Sequence, residues 1–335
     1  ASYVNKYKVE LLLFADGSVI DLGNGLTLNG TNQSGETLYG SVFNDNIQGA
    51  DGNDIIQTDD NNDILVGRKG NDYLEGGEGD DTYHFNLGDG SDTIYDYRGN
   101  DKIIFGEGIS QDDITLIPAY DDNKSLIIKI ADNADQIRIY RYFDSLHQGF
   151  YKIETLQFAD GSTIDLTRGL TLQGTNPNGE IIDGTIAHDQ LIGNSGNDSL
   201  WGRDGNDILI GGKGNDYLEG GEDDDSYHFN LGDGSDTIYD YRGNDQIIFG
   251  EGISQADITL ISAYHDNESL IIKIGDQGDQ IRIYRYFDST SQNFYKIENL
   301  IFADGSILDL TQGLKLAGSE QNDTIIGTLK DDQIN

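Results

Sequence analysis

Sixteen aspartates stand at the sixth place of a nine-residue unit, and no other residues of this chain have spacing so suited to chemistry. In a first block they are Asp45, Asp54, Asp63, Asp72 and Asp81, then, past a two-residue insertion at Phe85-Asn86, Asp92 and Asp101. A second block carries Asp189, Asp198, Asp207, Asp216, Asp225, Asp236 and Asp245, and a third opens with Asp323 and Asp332. Glycines precede them at the first and fourth places: Gly49, Gly52, Gly67, Gly70, Gly76 and Gly79, then Gly193, Gly196, Gly202, Gly205, Gly211, Gly214 and Gly220. A carboxylate at every turn, beside carbonyls that no Cβ obstructs, suits a hard cation. Ca²⁺ accepts about six to eight oxygens in flexible geometry, whereas Mg²⁺ demands a rigid octahedron and keeps its waters. Zinc favours His or Cys, and the unit supplies neither. Gly-Asn-Asp also makes ordinary turns, so one or two units would mean little; sixteen in register point to metal.

The elements that must position these carboxylates follow from the same unit. Six residues rich in Gly, Asn and Asp make a turn, and the last three make a short strand whose eighth place is always Ile, Leu or Tyr. Side chains alternate along a strand, so the eighth place points inward and its neighbours outward. Two units complete one coil of a parallel β-roll. Positions 18 residues apart then stack, with Asp45, Asp63 and Asp81 in one row and Asp54 and Asp72 in the other. One buried aliphatic side chain per unit contributes roughly 1.5–3 kcal/mol. Ordering nine backbones costs about 1–2 kcal/mol each, so the roll needs another source of stability. Some turns depart from the pattern. Residues 58–63 lack both glycines, though Asn61 tolerates a left-handed backbone. Phe43, Ala187 and Asp223 replace the fourth-place glycine, and Arg68 faces either a carboxylate row or solvent.

A longer period of 144 residues encloses the short one. Phe14-Ala15-Asp16-Gly17-Ser18 returns at Phe158 and at Phe302, and residues 63–113 differ from 207–257 at six of 51 positions. Between the blocks lie strand-like runs separated by Asp, Asn and Gly, with an Asp-Gly hairpin signal at Asp160-Gly161 and a capping signal at Ser110. They should form small antiparallel sheets, because a solenoid needs its last apolar face covered. The expected fold is all-β: tandem parallel β-rolls separated by small antiparallel β capping segments. Residues 1–30 would end a preceding cap, 31–101 form roll 1, 102–172 cap 1, 173–245 roll 2, 246–316 cap 2, and 317–335 the truncated start of a third block.

Composition narrows the function. With 21 Lys and Arg against 60 Asp and Glu, the net charge is −39, which argues against nucleic acid and anionic membrane surfaces. Nineteen Tyr and 12 Phe are too many for a solvated acidic tail. The absence of Cys excludes disulfides and thiolate sites, and no apolar run is long enough to span a membrane. No cleavable leader is visible at the start. None of the five His residues lies in H-E-x-x-H, and G-x-S-x-G does not occur, so the chain is not expected to be an enzyme.

The unit G-G-x-G-x-D-x-U-x resembles the calcium-binding nonapeptide of RTX proteins. Asp101-Lys102-Ile103-Ile104-Phe105, Ile139-Tyr140-Arg141-Tyr142-Phe143 and Ile153-Glu154 through Gly161 are similar to the haemolysin-type calcium-binding-related domain that alternates with such repeats in one branch of that family. The layout resembles iron-regulated, self-processing RTX proteins and toxins of Gram-negative bacteria. The resemblance implies a calcium-binding region of a large secreted toxin or adhesin, exported by type I secretion, unfolded in the low-calcium cytosol and folded outside. The self-processing relatives cleave at Asp-Pro; here the prolines follow Ile117 and Asn176. The alternative is an adhesive or carbohydrate-binding module with a host-surface or glycan target. It rests on Tyr95, Tyr97, Tyr140, Tyr142, Phe143 and Trp201, against the simpler expectation that these rings pack the cap onto the roll.

Overall fold

The computed structural model describes residues 11–13, 15–16, 19–31, 34–119, 121–122, 124–131, 135–144, 150–263, 268–276, 278–288, 294–317 and 333–334. These residues form strands, with a few single-turn 3₁₀ helices. The chain divides into two compact units, residues 1–115 with 124–167, and residues 116–123 with 168–335.

In the first unit the strands fall where the eighth-place pattern puts them. One ladder runs Thr27–Asn29, Asn46–Gln48, Ile64–Val66, Thr82–Phe85, Lys102–Phe105 and Thr155–Gln157, every step parallel. The other runs Thr37–Tyr39, Ile55–Gln57, Tyr73–Glu75, Ser91–Tyr95 and Gln136–Ile139, also parallel. Strand pairing aligns Ile47, Leu65, Tyr83, Ile103 and Leu156 in one stack, and Ile56, Leu74, Ile94 and Ile139 in the other. All nine are fully buried. Leu156 and Ile139 come from the linking segment, so that segment extends the ladders in parallel. It also makes the expected antiparallel pairings: Leu126–Ile130 on Gln136–Ile139, and Thr163–Asp165 on Thr155–Gln157. Gly161 turns the second hairpin at φ 86°. Ser110 starts the turn Gln111–Asp113, its N–H and hydroxyl both donating to the Asp113 carboxylate.

The second unit repeats the plan. Its first ladder runs Thr171–Gln173, Gln190–Ile192, Ile208–Ile210, Ser226–Phe229, Gln246–Phe249 and Asn299–Ile301. Its second runs Ile181–Asp183, Ser199–Asp204, Tyr217–Glu222, Ser235–Ile238 and Asp279–Ile283. Antiparallel strands Leu270–Ile274 and Ile258–Ser262 follow, and Lys315–Ala317 then adds in parallel. Gln333–Ile334 pairs with Lys315–Ala317, 18 residues on, in the register of a further block.

Ile55 and Ile56 are adjacent, identical in type and opposite in facing: 41% and 0% exposed. In saturating calcium, Ile56→Ala should cost about 2–5 kcal/mol by urea unfolding, and Ile55→Ala should stay within about 0.5 kcal/mol. Equal costs would contradict the assigned facing.

Candidate metal centres

The sixth-place aspartates form continuous hydrogen-bonded rows. The backbone N–H of Asp45 donates to Asp63 Oδ1, that of Asp63 to Asp81 Oδ1, and that of Asp81 to Asp101 Oδ1, each at 2.7 Å. In the opposite row Asp54 donates to Asp72 at 2.7 Å, and Asp72 to Asp92 at 2.8 Å. The second unit repeats both rows, Asp189–Asp207–Asp225–Asp245 and Asp198–Asp216–Asp236, at 2.7–2.9 Å. The rows are those expected from the 18-residue spacing.

Oδ1 is therefore used along the rows; Oδ2 accepts from a neighbouring N–H in Asp45, Asp54 and Asp189, but not in the turns that follow them. Oδ2 of Asp63, Asp72, Asp81, Asp198, Asp207, Asp216 and Asp225 is buried with no hydrogen-bond partner. A buried carboxylate oxygen without a donor or cation is costly. The first-place glycines show what lies beside it. A Cβ on Gly193 would sit 2.6 Å from Asp198 Oδ2 and 2.5 Å from the Gly211 carbonyl oxygen; on Gly202, 2.2 Å from Asp207 Oδ2 and 2.6 Å from the Gly220 oxygen. Carboxylate and carbonyl oxygens of successive turns thus converge on a cradle that any side chain would fill. This donor set, hard oxygens only, fits Ca²⁺.

Most fourth-place glycines are left-handed, as at Gly52 (φ 115°) and Gly205 (φ 111°). Asn61 and Asp223 take that place with φ 76° and 78°. Phe43 and Ala187 are accommodated differently: their N–H groups donate to the hydroxyls of Ser41 and Thr185, which turn back to Asp45 and Asp189. At the first place of residues 58–66, the Thr58 hydroxyl donates to the Gly76 carbonyl at 2.6 Å. That uses an oxygen which the matching Gly202 turn leaves facing the cradle. Arg68, left open between row and solvent, reaches Gln48 Oε1 at 2.8 Å on the exposed strand face. Asp323 and Asp332 lie outside the described residues.

Four glutamates absent from the nonapeptide reading extend the rows. Glu36 and Glu180 stand one turn ahead of Asp54 and Asp198, and their N–H groups donate to Oδ1 of those residues at 2.8 Å. The 18-residue spacing carries that signal, though their turns are one residue longer than the unit. Glu154 and Glu298, from the linking segments, accept the N–H groups of Asp101 and Asp245 at 2.7 and 2.8 Å. They lie 53 residues along the chain, beyond any local signal.

The aromatics are partly packed and partly exposed. Tyr142 and Phe143 are buried, and Tyr95 stacks on Tyr73 and meets Tyr140 at a tilt. Tyr97 meets Phe150 edge-on beneath Arg98. Trp201 lies under Arg203, which pairs with Asp183 at 2.5 Å.

Burial raises the carboxyl pKa values from the ordinary 3.8, with neighbouring carboxylates adding to the rise in most of the rows. Asp63 and Asp72 rise to about 6, Asp81 to about 7, and Asp92 and Asp101 to about 8. In the second unit Asp198 rises to about 6, Asp236 to about 7, Asp207 to about 8, and Asp225 and Asp245 to about 9.

Comparison with known proteins agrees with this geometry. The family described as RTX calcium-binding nonapeptide repeat (4 copies) matches residues 31–65, 57–89, 84–111, 183–218, 202–233, 228–255 and 317–335. The haemolysin-type calcium binding protein related domain matches residues 126–168 and 270–312. The nonapeptide repeats form a structural, non-catalytic family that binds calcium ions. Iron-regulated protein FrpA of Neisseria meningitidis serogroup C is 34% identical over 89 residues, 25% of this chain and 8% of that protein. Cytolysin RtxA of Kingella kingae is 33% identical over 106 residues, 30% of this chain and 11% of that protein. The matched stretches thus span about a tenth of each relative. The extracellular lipase LipA of Serratia marcescens aligns over 76% of this chain and 38% of its own, at 20% identity and a TM-score of 0.27, too low to carry any argument. No helix among the described residues is long and apolar enough to cross a membrane.

The raised carboxyls give the calcium-free protein a defined pH response. A group whose pKa is higher in the folded state favours folding fully below its unfolded value, and that contribution is lost as pH rises through the folded value. In excess chelator, strand content by far-UV circular dichroism should therefore be greatest near pH 4 and fall between about pH 4 and pH 9. With saturating calcium it should be flat across that range. A flat profile in chelator would show that the rows do not oppose folding.

Proposed function

The chain belongs to the RTX family of haemolysin-type calcium-binding repeat proteins, and on that basis we propose that it is a calcium-assembled structural module of a large secreted toxin or adhesin. The observation carrying this reading is the row of buried Oδ2 atoms without partners, repeated in both units. On this reading the sixth-place aspartates and the carbonyls of the first-place glycines hold the ions. Residues 31–101 and 173–245 act as the calcium-dependent rolls, and residues 102–172 and 246–316 as their caps. Bound Ca²⁺ supplies the positive charge that cancels repulsion between successive turns. The protein's own part is to fix the oxygens: glycines admit them, the Asp N–H ladder orients them, and Glu154 and Glu298 close the rows.

A ligand that binds only the folded state stabilises it by mass action. Extracellular calcium modules bind at about 10⁻⁴–10⁻³ M, above cytosolic levels. The chain would cross the export apparatus unfolded, as type I secretion requires, and set outside the cell. It carries no catalysis of its own. A second reading, recognition of a glycan, is favoured by one observation: Tyr140 and Tyr284 are each 40% exposed beside the Tyr95 and Tyr239 rings. A glycan array probed with and without calcium separates that reading from a purely structural role.

At neutral pH in excess chelator the chain should give a disordered far-UV spectrum, and calcium should convert it cooperatively to a β spectrum, with Mg²⁺ ineffective at equal concentration. Asp207→Ala should raise the calcium midpoint several-fold. A β spectrum that persists in chelator would refute the proposal.

A further inference from the structure

The last turn of the first row in each unit breaks the first-place rule. Gly40, Gly49, Gly67 and Gly76 stand there earlier in the first unit, and the other departures, Thr58, Leu87 and Leu231, carry no charge; but the unit of Asp101 begins with Asp96, and in the second unit that of Asp245 begins with Asp240. The same two places are also where the eighth-place residue of the preceding unit on that side is Tyr rather than Ile or Leu: Tyr83 and Tyr227. Among the described residues, three carboxylates approach within 4.8 Å at Asp81, Asp96 and Asp101, and at Asp225, Asp240 and Asp245. All six are at most 1% exposed.

Tyr83 OH donates to Asp96 Oδ2 at 2.6 Å, and Tyr227 OH to Asp240 Oδ2 at 2.7 Å. A buried tyrosine needs an acceptor for its hydroxyl, so Asp96 could serve that alone. One oxygen suffices for it. The others, Asp96 Oδ1 and Asp81 Oδ2, and Asp240 Oδ1 and Asp225 Oδ2, are buried without hydrogen-bond partners, and each residue of a cluster offers an oxygen within 4.8 Å of those of the other two. The groups that act electrostatically on Asp101 are further carboxylates, Glu154, Asp81 and Asp80. An acceptor for a phenol does not require a third buried carboxylate beside two others. A cation does.

We propose that Asp81–Asp96–Asp101 and Asp225–Asp240–Asp245 are a separate class of hard-cation site, one per roll, that fills before the remaining turns. The proposal rests on the calcium reading above and adds a ligand, the first-place aspartate, that the nonapeptide unit does not contain. Ligand charge count is a main determinant of calcium affinity, and here a first-place aspartate adds a third carboxylate to the two that successive sixth-place aspartates bring to an ordinary turn. Asp96 and Asp240 set the high affinity; Tyr83 and Tyr227 orient them.

Calcium and terbium titrations of the full 335-residue chain test this. Calorimetry of the unaltered chain should resolve two tight equivalents from the rest. Tb³⁺ should occupy the same two first, with emission sensitised by excitation of the adjoining tyrosines. Asp96→Asn with Asp240→Asn keeps an acceptor for each hydroxyl; it should weaken the first two equivalents by about tenfold or more while later ions still bind and the β spectrum still forms. Unchanged tight equivalents in that variant would reduce Asp96 and Asp240 to hydroxyl acceptors and overturn the proposal. Tyr83→Phe with Tyr227→Phe covers the case in which the Asn variant does not fold. It leaves the carboxylates intact and should keep two tight equivalents but lose their sensitised emission, and undiminished emission would place the first ions elsewhere. Loss of all calcium-dependent folding in the unaltered chain would instead refute the calcium reading itself.

Discussion

Repulsion between carboxylates one turn apart is the constraint on which this structure depends. In a parallel β-roll a residue repeats directly above its counterpart, so an aspartate in the turn becomes a row of aspartates. The backbone N–H of each turn neutralises part of that row by donating to one oxygen of the next. In the middle of the rows, at Asp63, Asp72, Asp81, Asp198, Asp207, Asp216 and Asp225, the second oxygen is buried and receives nothing. A row half satisfied by the protein and half left to a cation ties the fold to the ion. The core cannot carry the structure alone, because each coil buries two eighth-place side chains for its whole length of backbone.

The glycines and the linking segments are consequences of that constraint. A first-place Cβ would occupy the space where the carboxylate and carbonyl oxygens converge, so a glycine there keeps the cradle open. Thr58 shows the cost of departing from it, since its hydroxyl takes the carbonyl that the matching turn leaves free. The linking segments do more than cover an apolar end. Leu156 and Ile139 extend the buried stacks, and Glu154 provides the acceptor for the last aspartate N–H of its row. Core and carboxylate row therefore end together, on residues supplied by the same segment.

The repeat family gives this chain its calcium chemistry, and the 144-residue period gives it an internal comparison. Features present in both copies are built into the unit: the tyrosine–aspartate pair at the end of the row, the glutamate from the cap, and the stacked tyrosines on the outer face. Features of one copy only, such as Thr58, Arg68 or Trp201, are local variations on it.

The nine-residue spacing alone determined which residues face inward, which aspartates share a row, and that oxygen ligands rather than thiolate or imidazole would meet the metal. Local periodicity suffices for this, because in this solenoid spatial neighbours in the rows lie 18 residues apart, or 20 across each two-residue insertion. Glu36 and Glu180 obey the 18-residue spacing too, but their turns do not obey the unit, and a reading by the unit passed over them. Tertiary structure alone decided the rest. Glu154 meets Asp101 across 53 residues and Asp135 meets Gly88 across 47, along a path with no period to read. Asp96 looks in sequence like one more polar turn residue; only its burial beside Tyr83, Asp81 and Asp101 shows that its carboxyl is held inside the protein. Spacing reports which residues stack, but the dielectric around a carboxylate and the partners left to it are set by everything packed against it.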